Sequence, residues 1–291
     1  MKKLLVHLHL YYPEIYKELE NCILNLSPEY DFDLFVTIPK TNLNLKPQIL
    51  STFPKAKVQV VENIGYDIYP FIKVIQGVNL DDYSYVIKLH TKRDLNKFKY
   101  DLFSITKTKW FGNSNWREGL LTFIKTKENI NKVITYLNSH EDVGMHGGHV
   151  YILNQYTDAR NTYKQVQSYL KRKSYRFVCG SMFIAKAKVF KQLQNLTIDD
   201  THFEESDQTH LLVQFAHIME RYLGYCVTCN NLKIEDCLMH KLNKFLITSR
   251  KFIDMFISNY IFSIRITNKQ KLLIKVLKIP VYNKLIKNKE E

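Results

Sequence analysis

Short apolar runs separated by helix-spaced stretches fill the amino-terminal part of the chain, and this alternation narrows the fold more than any other feature. Residues 3–10 (KLLVHLHL) form one run and stop at Tyr11-Tyr12-Pro13. Residues 14–26 then place Ile15, Leu19, Cys22, Ile23 and Leu26 on one helical face. Residues 32–38 (FDLFVTI), 57–61 (KVQVV) and 83–89 (YSYVIKL) read as three more strands, with a helix over 68–77. Strands alternating with helices imply an α/β fold with a mostly parallel sheet and right-handed crossovers. Ligands of such sheets bind outside the carboxyl ends of the strands. His9, Thr37, Asn63 to Asp67 and His90 to Lys92 stand at those ends.

Farther along, residues 101–140 read as mostly helical, followed by a glycine-rich turn at 144–149 (GMHGGH), a strand over 176–185 and a helix over 207–222. The 291 residues, 45% of them apolar, suffice for one large α/β domain and a small appendage. Only 9 Gly and 7 Pro argue against a disordered or fibrous chain. Charge is uneven. From Lys241 on there are twelve basic and three acidic residues, so +9 of the net +14 lies in this last stretch. The expected division is 1–244, a nucleotide-binding domain, and 245–291, a basic amphipathic helical tail. No apolar run reaches membrane-span length, the amino terminus reads as a strand rather than a leader, and an odd set of five cysteines suits reduced thiols. The expected location is the cytoplasm. Nucleic acid is not an expected partner, because the basic residues sit in the tail among apolar ones and no recognition module is visible.

Four constellations could carry chemistry. In NIGYDIYPF (63–71), Asn63 and Gly65 make a tight turn and Asp67 stands at a helix start. That carboxylate either binds sugar or ribose hydroxyls or caps the helix. In KLHTKR (88–93), His90, Thr91 and Lys92 end the fourth strand, where lysine can neutralise a diphosphate directly. Glu204, Glu205 and Asp207 form an acidic cluster before the helix that carries His217 and Arg221. A carboxylate there can act as general base toward a hydroxyl, or complement the helix dipole. Finally, Cys226, Cys229, Cys237 and His240 have zinc-like spacing, against the alternative of ordinary core cysteines.

HLYYPE (9–14), DFDLFVT (31–37), NIGYDIYPF, YVIKLHTKR, NWREGLL (115–121), GSMFIAK and Glu220-Arg221 follow one another in order. Together they resemble the rhamnan synthesis protein F family over roughly residues 4–225. The resemblance implies a GT-A-like fold and glycosyl transfer in bacterial surface-polysaccharide assembly, with a nucleotide-diphosphate sugar as donor and a glycan, usually lipid-linked, as acceptor. Nucleotide-sugar transferases with a single α/β domain often end the fourth strand in an aspartate pair that holds a divalent metal. His90-Thr91-Lys92 stands there instead, so dependence on manganese or magnesium is expected to be weak or absent. The resemblance adds Trp116 and Arg117 to the expected substrate contacts, and gathers His217, Glu220 and Arg221 around the pocket. The family's Asp-Gly-Thr reads Asp207-Gln208-Thr209 here, which leaves the catalytic carboxylate between Asp207 and Glu205. A non-catalytic scaffold subunit of a polysaccharide-assembly complex is the alternative. In both readings the tail lies on the anionic inner surface of the cytoplasmic membrane.

Overall fold

The structure is a computed structural model, and it describes residues 3–93, 116–158, 170, 174–203, 214–256, 262–266, 271–277 and 279–285. The chain divides into two compact units; the second comprises Leu95–Ser114, Asp207–Val213 and the sequence from Lys241 on.

The first unit is built on seven strands: β1 (Lys3–His9), β2 (Phe32–Pro39), β3 (Lys57–Val61), β4 (Tyr83–His90), β5 (Val143–His146), β8 (Phe183–Lys186) and β9 (Lys233–Glu235), in the order β3-β2-β1-β4-β8-β5-β9. β6 (Ile152–Asn154) and β7 (Arg176–Val178) form a separate two-stranded ribbon. Pairs β3–β2, β2–β1, β1–β4 and β5–β9 are parallel, whereas β8 runs antiparallel to both β4 and β5. The fold is α/β with a mostly parallel sheet. One consequence of β8's direction governs the site. Residues that follow a parallel strand reach the carboxyl edge of the sheet, and so do residues that precede an antiparallel one. With Lys88 opposite Phe183, the chain just before Phe183 lies beside the end of β4.

Each strand of the parallel half alternates between two cores. Leu4, Val6 and Leu8, with Leu34, Val36, Ile38, Tyr85, Ile87 and Leu89, face a core shared with helices Tyr16–Leu24 and Lys127–Ser139. The opposite face holds Leu5, Phe35 and Val86 under helices Ile68–Gln76 and Phe215–Thr228. On that second face the apolar pattern ends halfway along the strands. His7, His9, Thr37, Lys88 and His90 occupy its carboxyl half, and all are buried.

The single strand expected over 176–185 is two, β7 and β8. Between them Gly180 and Ser181 take positive φ angles of 86° and 48°, a left-handed pair that breaks a ladder. The helix expected over 207–222 begins, among the described residues, at Phe215. The tail also differs from expectation. Lys241–Phe256 is helical, but β10 (Phe262–Ile266), β11 (Lys271–Val276) and β12 (Ile279–Leu285) form an antiparallel sheet in the order β10-β11-β12. FSIRI and KLLIKV are rich in isoleucine, leucine and valine, residues whose branched side chains suit a pleated surface. No helix among the described residues is long and apolar enough to cross a membrane.

Gly224 sets the spacing between helix Phe215–Thr228 and β7. A Cβ there would stand 2.0 Å from the Arg176 carbonyl oxygen and 2.6 Å from Phe177 Cα. In an open helix Gly→Ala would stabilise by up to about 1 kcal/mol. Here the clash is with backbone, so Gly224→Ala should instead destabilise by about 1–3 kcal/mol, read as a lower denaturant midpoint at unchanged slope.

Candidate functional site

Two left-handed turns meet at the carboxyl end of β4. In the first, Gly65 (φ 67°) and Tyr66 (φ 55°) lead into helix Ile68–Gln76, whose amide nitrogens at Ile68 and Tyr69 donate to the Gly65 carbonyl. A side chain at Gly65 would overlap Tyr69 Cβ at 2.6 Å and the Phe203 ring at 2.7 Å. Glycine is thus required there for both φ and space. Asp67 is the N-cap residue, yet its side chain makes no capping bond. It turns to the sheet instead. Lys88 Nζ donates to Asp67 Oδ2, and Ser181, from the second turn, donates its hydroxyl to the same oxygen at 2.6 Å. Lys88 also donates to Ser181 Oγ at 2.9 Å, closing a triangle, and His90 Nδ1 lies 3.4 Å from Asp67 Oδ2. Asp67 Oδ1 takes no hydrogen bond from the described residues, and the side chain is 17% exposed. One oxygen is therefore held by the protein, and the other is not held by any described residue.

The electrostatics follow from burial. Lys88 is fully buried, and burial lowers its pKa against the opposing pull of Asp67. For Asp67, burial works against the charge, but the Lys88 charge and the bonds from Lys88 and Ser181 outweigh it and hold the carboxyl well below its usual range. The pair is ionised. Burial, aided by the Lys88 charge, pushes His7 and His90 well below 6.5 and His9 down to about 4, so all three imidazoles are neutral. Thr37 Oγ1 sits 3.0 Å from both His7 Nε2 and His9 Nδ1. A hydroxyl has one proton, so at least one of these ring nitrogens carries its own.

A second network props the Gly180–Ser181 turn. Arg221 is 1% exposed and bonds Asp158 through two nitrogens, at 2.9 and 2.7 Å. Its third nitrogen donates to Glu220 Oε2 and to the His217 carbonyl, and the guanidinium lies 4.2 Å from the Phe177 ring centroid. Glu220 Oε1 accepts the Gly180 amide at 2.7 Å. Arg221, expected around the pocket, takes a supporting role, because its nitrogens donate to protein acceptors. Thr91 is likewise internal. Its Oγ1 accepts the amides of Tyr11 and Tyr12 at 2.9 and 2.8 Å, tying the chain after β1 to the end of β4.

Of the remaining expected residues, His9, Thr37, Asp67 and His90 form one contiguous cluster, and register sets His9 opposite both Thr37 and His90. Asn63 is exposed at the start of the first turn and Gly65 is buried within it. Lys92 stands at the same corner. Its charge lowers the pKa of His90, and its carbonyl accepts from Arg117 Nη1 at 2.9 Å. Arg117 also donates to Glu18 at 2.7 Å, and Trp116 opens the helix Trp116–Leu121. His217 caps the start of its own helix through the Gln214 amide and lies 5.8 Å from the Tyr66 ring. Glu204, Glu205 and Asp207 lie outside the described residues. Both flanks of their segment touch the first turn: Phe203 packs on Tyr69 with centroids 4.6 Å apart, and Tyr66 donates to Gln214 Oε1 at 2.5 Å. Lys88 and Ser181 were missed by reasoning from the sequence. Lys88 is hidden in an apolar strand, and Ser181 precedes an antiparallel one. The signal for Ser181 was the glycine inside a strand pattern.

Asp67 is the carboxylate of this corner, and Lys88 and Ser181 already engage it. No group of three His, Cys, Asp or Glu able to hold a metal occurs among the described residues. The same holds for the zinc-like set. Cys229 accepts from Gln192, whereas Cys237 sits against His146, and all five cysteines are thiols. A shallow hollow lined by Leu80, Tyr83, Lys186, Lys188 and Lys191 lies at the opposite, amino end of β4 and shares no residue with the cluster.

With this corner described, the comparison with known proteins is direct. Residues 1–232 match the family described as Rhamnan synthesis protein F. The chain belongs to the rhamnan synthesis protein F family. The matched segment contains the whole Asp67–Lys88–Ser181 corner and the Arg221 network. Proteins named WxcX, uncharacterized, from two strains of Xanthomonas campestris pv. campestris are each 23% identical over 231 residues. That match takes in 77% of this chain but 31% of the relative, so the chain spans about a third of the length of these curated relatives. Among solved structures, a cytidylyltransferase from Leptospira borgpetersenii serovar Hardjo-bovis is similar at TM-score 0.38 and 8% identity, over 81% of this chain and 76% of that one. Glucosyl-3-phosphoglycerate synthase from Mycobacterium tuberculosis, in complex with Mn2+, UDP and glucosyl-3-phosphoglycerate, is similar at TM-score 0.41 and 9% identity, over 98% and 90%.

Two predictions follow from the charges of the corner. Lys88→Met leaves a buried carboxylate without its cation and should cost about 3–5 kcal/mol of stability, whereas Lys88→Met combined with Asp67→Asn should recover much of it, both read by urea unfolding. The histidines set the acid limb of the stability curve. Their folded pKa values are depressed, so the unfolded chain binds the extra protons. Their contribution is complete above about pH 6.5 and is lost as pH falls toward 4. His9→Asn should flatten that slope by about 1.4 kcal/mol per pH unit, measured as unfolding free energy against pH.

Proposed function

We propose that the chain is a glycosyltransferase that moves a sugar, of hexose type, from a nucleotide-diphosphate donor to a hydroxyl of a lipid-linked glycan in bacterial surface-polysaccharide assembly, whether capsule, O-antigen or lipooligosaccharide. Membership of a rhamnan synthesis family supports polysaccharide synthesis. The observation that carries the reading is the Asp67 carboxylate, ionised and with Oδ1 left open at the carboxyl edge of a parallel sheet. It accepts a hydroxyl of the donor's ribose or sugar.

In the transfer, the acceptor oxygen forms a bond to the anomeric carbon as the bond from that carbon to the diphosphate breaks. The acceptor proton goes to a carboxylate, and the electron pair leaves with the phosphate. Asp207, with Glu205 second, is the proposed base. The residues that flank its segment in the sequence, Phe203 and Gln214, contact Tyr69 and Tyr66. Lys92 is the proposed cation for the leaving phosphate, a charge-assisted contact that takes the part a metal would otherwise play. His9, Thr37, Asn63 and His90 line the donor side, and Trp116 and Arg117 the approach to it. The second unit is proposed to hold the protein on the inner face of the cytoplasmic membrane. The +9 charge of residues 241–291 and the exposed Leu242, Phe245 and Leu246 support this.

A thermal-shift panel of nucleotide sugars, with and without manganese, tests the reading. One donor should stabilise the protein equally in both series. Stabilisation by none of them, or only with manganese, would count against it. Lys92→Ala should weaken that donor's binding by about 1.5–3 kcal/mol, and Asp207→Asn should abolish transfer while leaving donor binding intact.

A further inference from the structure

The turn between β11 and β12 departs from ordinary turn chemistry. Val276 pairs with Ile279, so the chain reverses within two residues. Such turns normally carry glycine, asparagine or aspartate, which tolerate positive φ. Here Leu277 takes φ 48°. In the sequence the other residue of this two-residue turn is Lys278, and aliphatic residues flank it, all exposed: Leu277 and Ile279 at 65% each, Val281 at 60% and Val276 at 39%. Four exposed aliphatic side chains thus flank a single lysine at a hairpin tip.

The occupant that fits this tip is a lipid bilayer. A stable protein interface buries about 800 Å² on each partner, more than one such turn can offer, whereas a bilayer accepts side chains singly. Strand addition by a second copy is opposed by Pro280, which places a residue without an amide on the edge strand β12. Charge points the same way. Lys271, Lys275 and Lys284 lie along the two strands, no acidic residue occurs between Lys269 and Asn288, and the unit as a whole is strongly basic. Aliphatic tips on basic stems suit a surface that is anionic outside and apolar just beneath.

We propose that the β11–β12 turn is a membrane-insertion element, with Leu277 and Ile279 entering the boundary between headgroups and acyl chains of an anionic bilayer. The proposal rests on the membrane-attached reading of the second unit and names the part of it that enters the lipid.

The test uses the full chain with vesicles of phosphatidylglycerol, of phosphatidylcholine and of an equimolar mixture. The unmodified protein should sediment with phosphatidylglycerol. Leu277→Asp combined with Ile279→Asp should weaken that binding by about tenfold or more, the loss of two aliphatic side chains leaving water, with no change in thermal midpoint. In Leu277→Trp, brominated acyl chains should quench added emission that the unmodified protein lacks. If the unmodified chain stays in the supernatant at low salt, the membrane reading falls and the insertion with it. If it sediments but the double variant binds equally, or the new tryptophan is not quenched, the insertion is overturned while membrane attachment stands. If the double variant instead dissociates a dimer in sedimentation velocity, a second copy covers the tip and the proposal is wrong.

Discussion

A buried lysine is the group on which the rest of the first unit is arranged. Lys88 sits in β4, the central strand of the seven-stranded sheet, fully enclosed, and an ammonium in that position is sustained only by an ionised partner. Asp67 is that partner, and its placement requires the left-handed Gly65–Tyr66 turn. Ser181 completes the arrangement and requires a second left-handed turn at Gly180. Non-glycine residues at positive φ cost energy and persist where surrounding contacts over-determine them. Tyr66 and Ser181 are both fixed in this way, by Gln214 on one side and by the Lys88–Asp67 pair on the other.

The same logic extends outward. Arg221 reaches no surface, yet through Glu220 it holds the Gly180 amide and so the turn that presents Ser181. Asp158 balances the second half of its charge. The corner therefore has an inner layer of charge and an outer layer that fixes backbone. A substitution in the outer layer would act on ligand binding only through geometry.

Much of this was legible in the sequence. The strand and helix alternation over residues 3–89 predicts the parallel half, and strand ends predict His9, Thr37, Asp67 and His90 as neighbours, because period-2 and period-3.6 patterns are local properties. Strand direction is not local. Nothing in RFVCGSMFIA announces that its second half runs antiparallel, so Ser181 could not be placed beside Lys88. Lys88 itself was masked by the apolar residues around it, since a charge inside a strand pattern normally faces water. Arg221 was selected from sequence, but its burial depends on Asp158, sixty-three residues away. The tail was read by helical spacing, and β11 shows why: Lys271 and Lys275 stand four apart among aliphatic residues, a spacing that an amphipathic helix shares.

The polar residues on the second face of the sheet also do something for folding. Parallel strands pair through evenly spaced bonds that look alike in every alignment, so a strand could slide by two residues and keep its faces. On β1 such a slide would carry His7 toward the position of Leu5, into the layer of Phe35 and Val86, or carry Leu5 among the imidazoles. Either leaves a buried ring nitrogen without its threonine. The boundary between apolar and polar halves thus acts as a ruler laid lengthwise on the sheet, and the side chains gathered for a ligand also tell each strand where to stop.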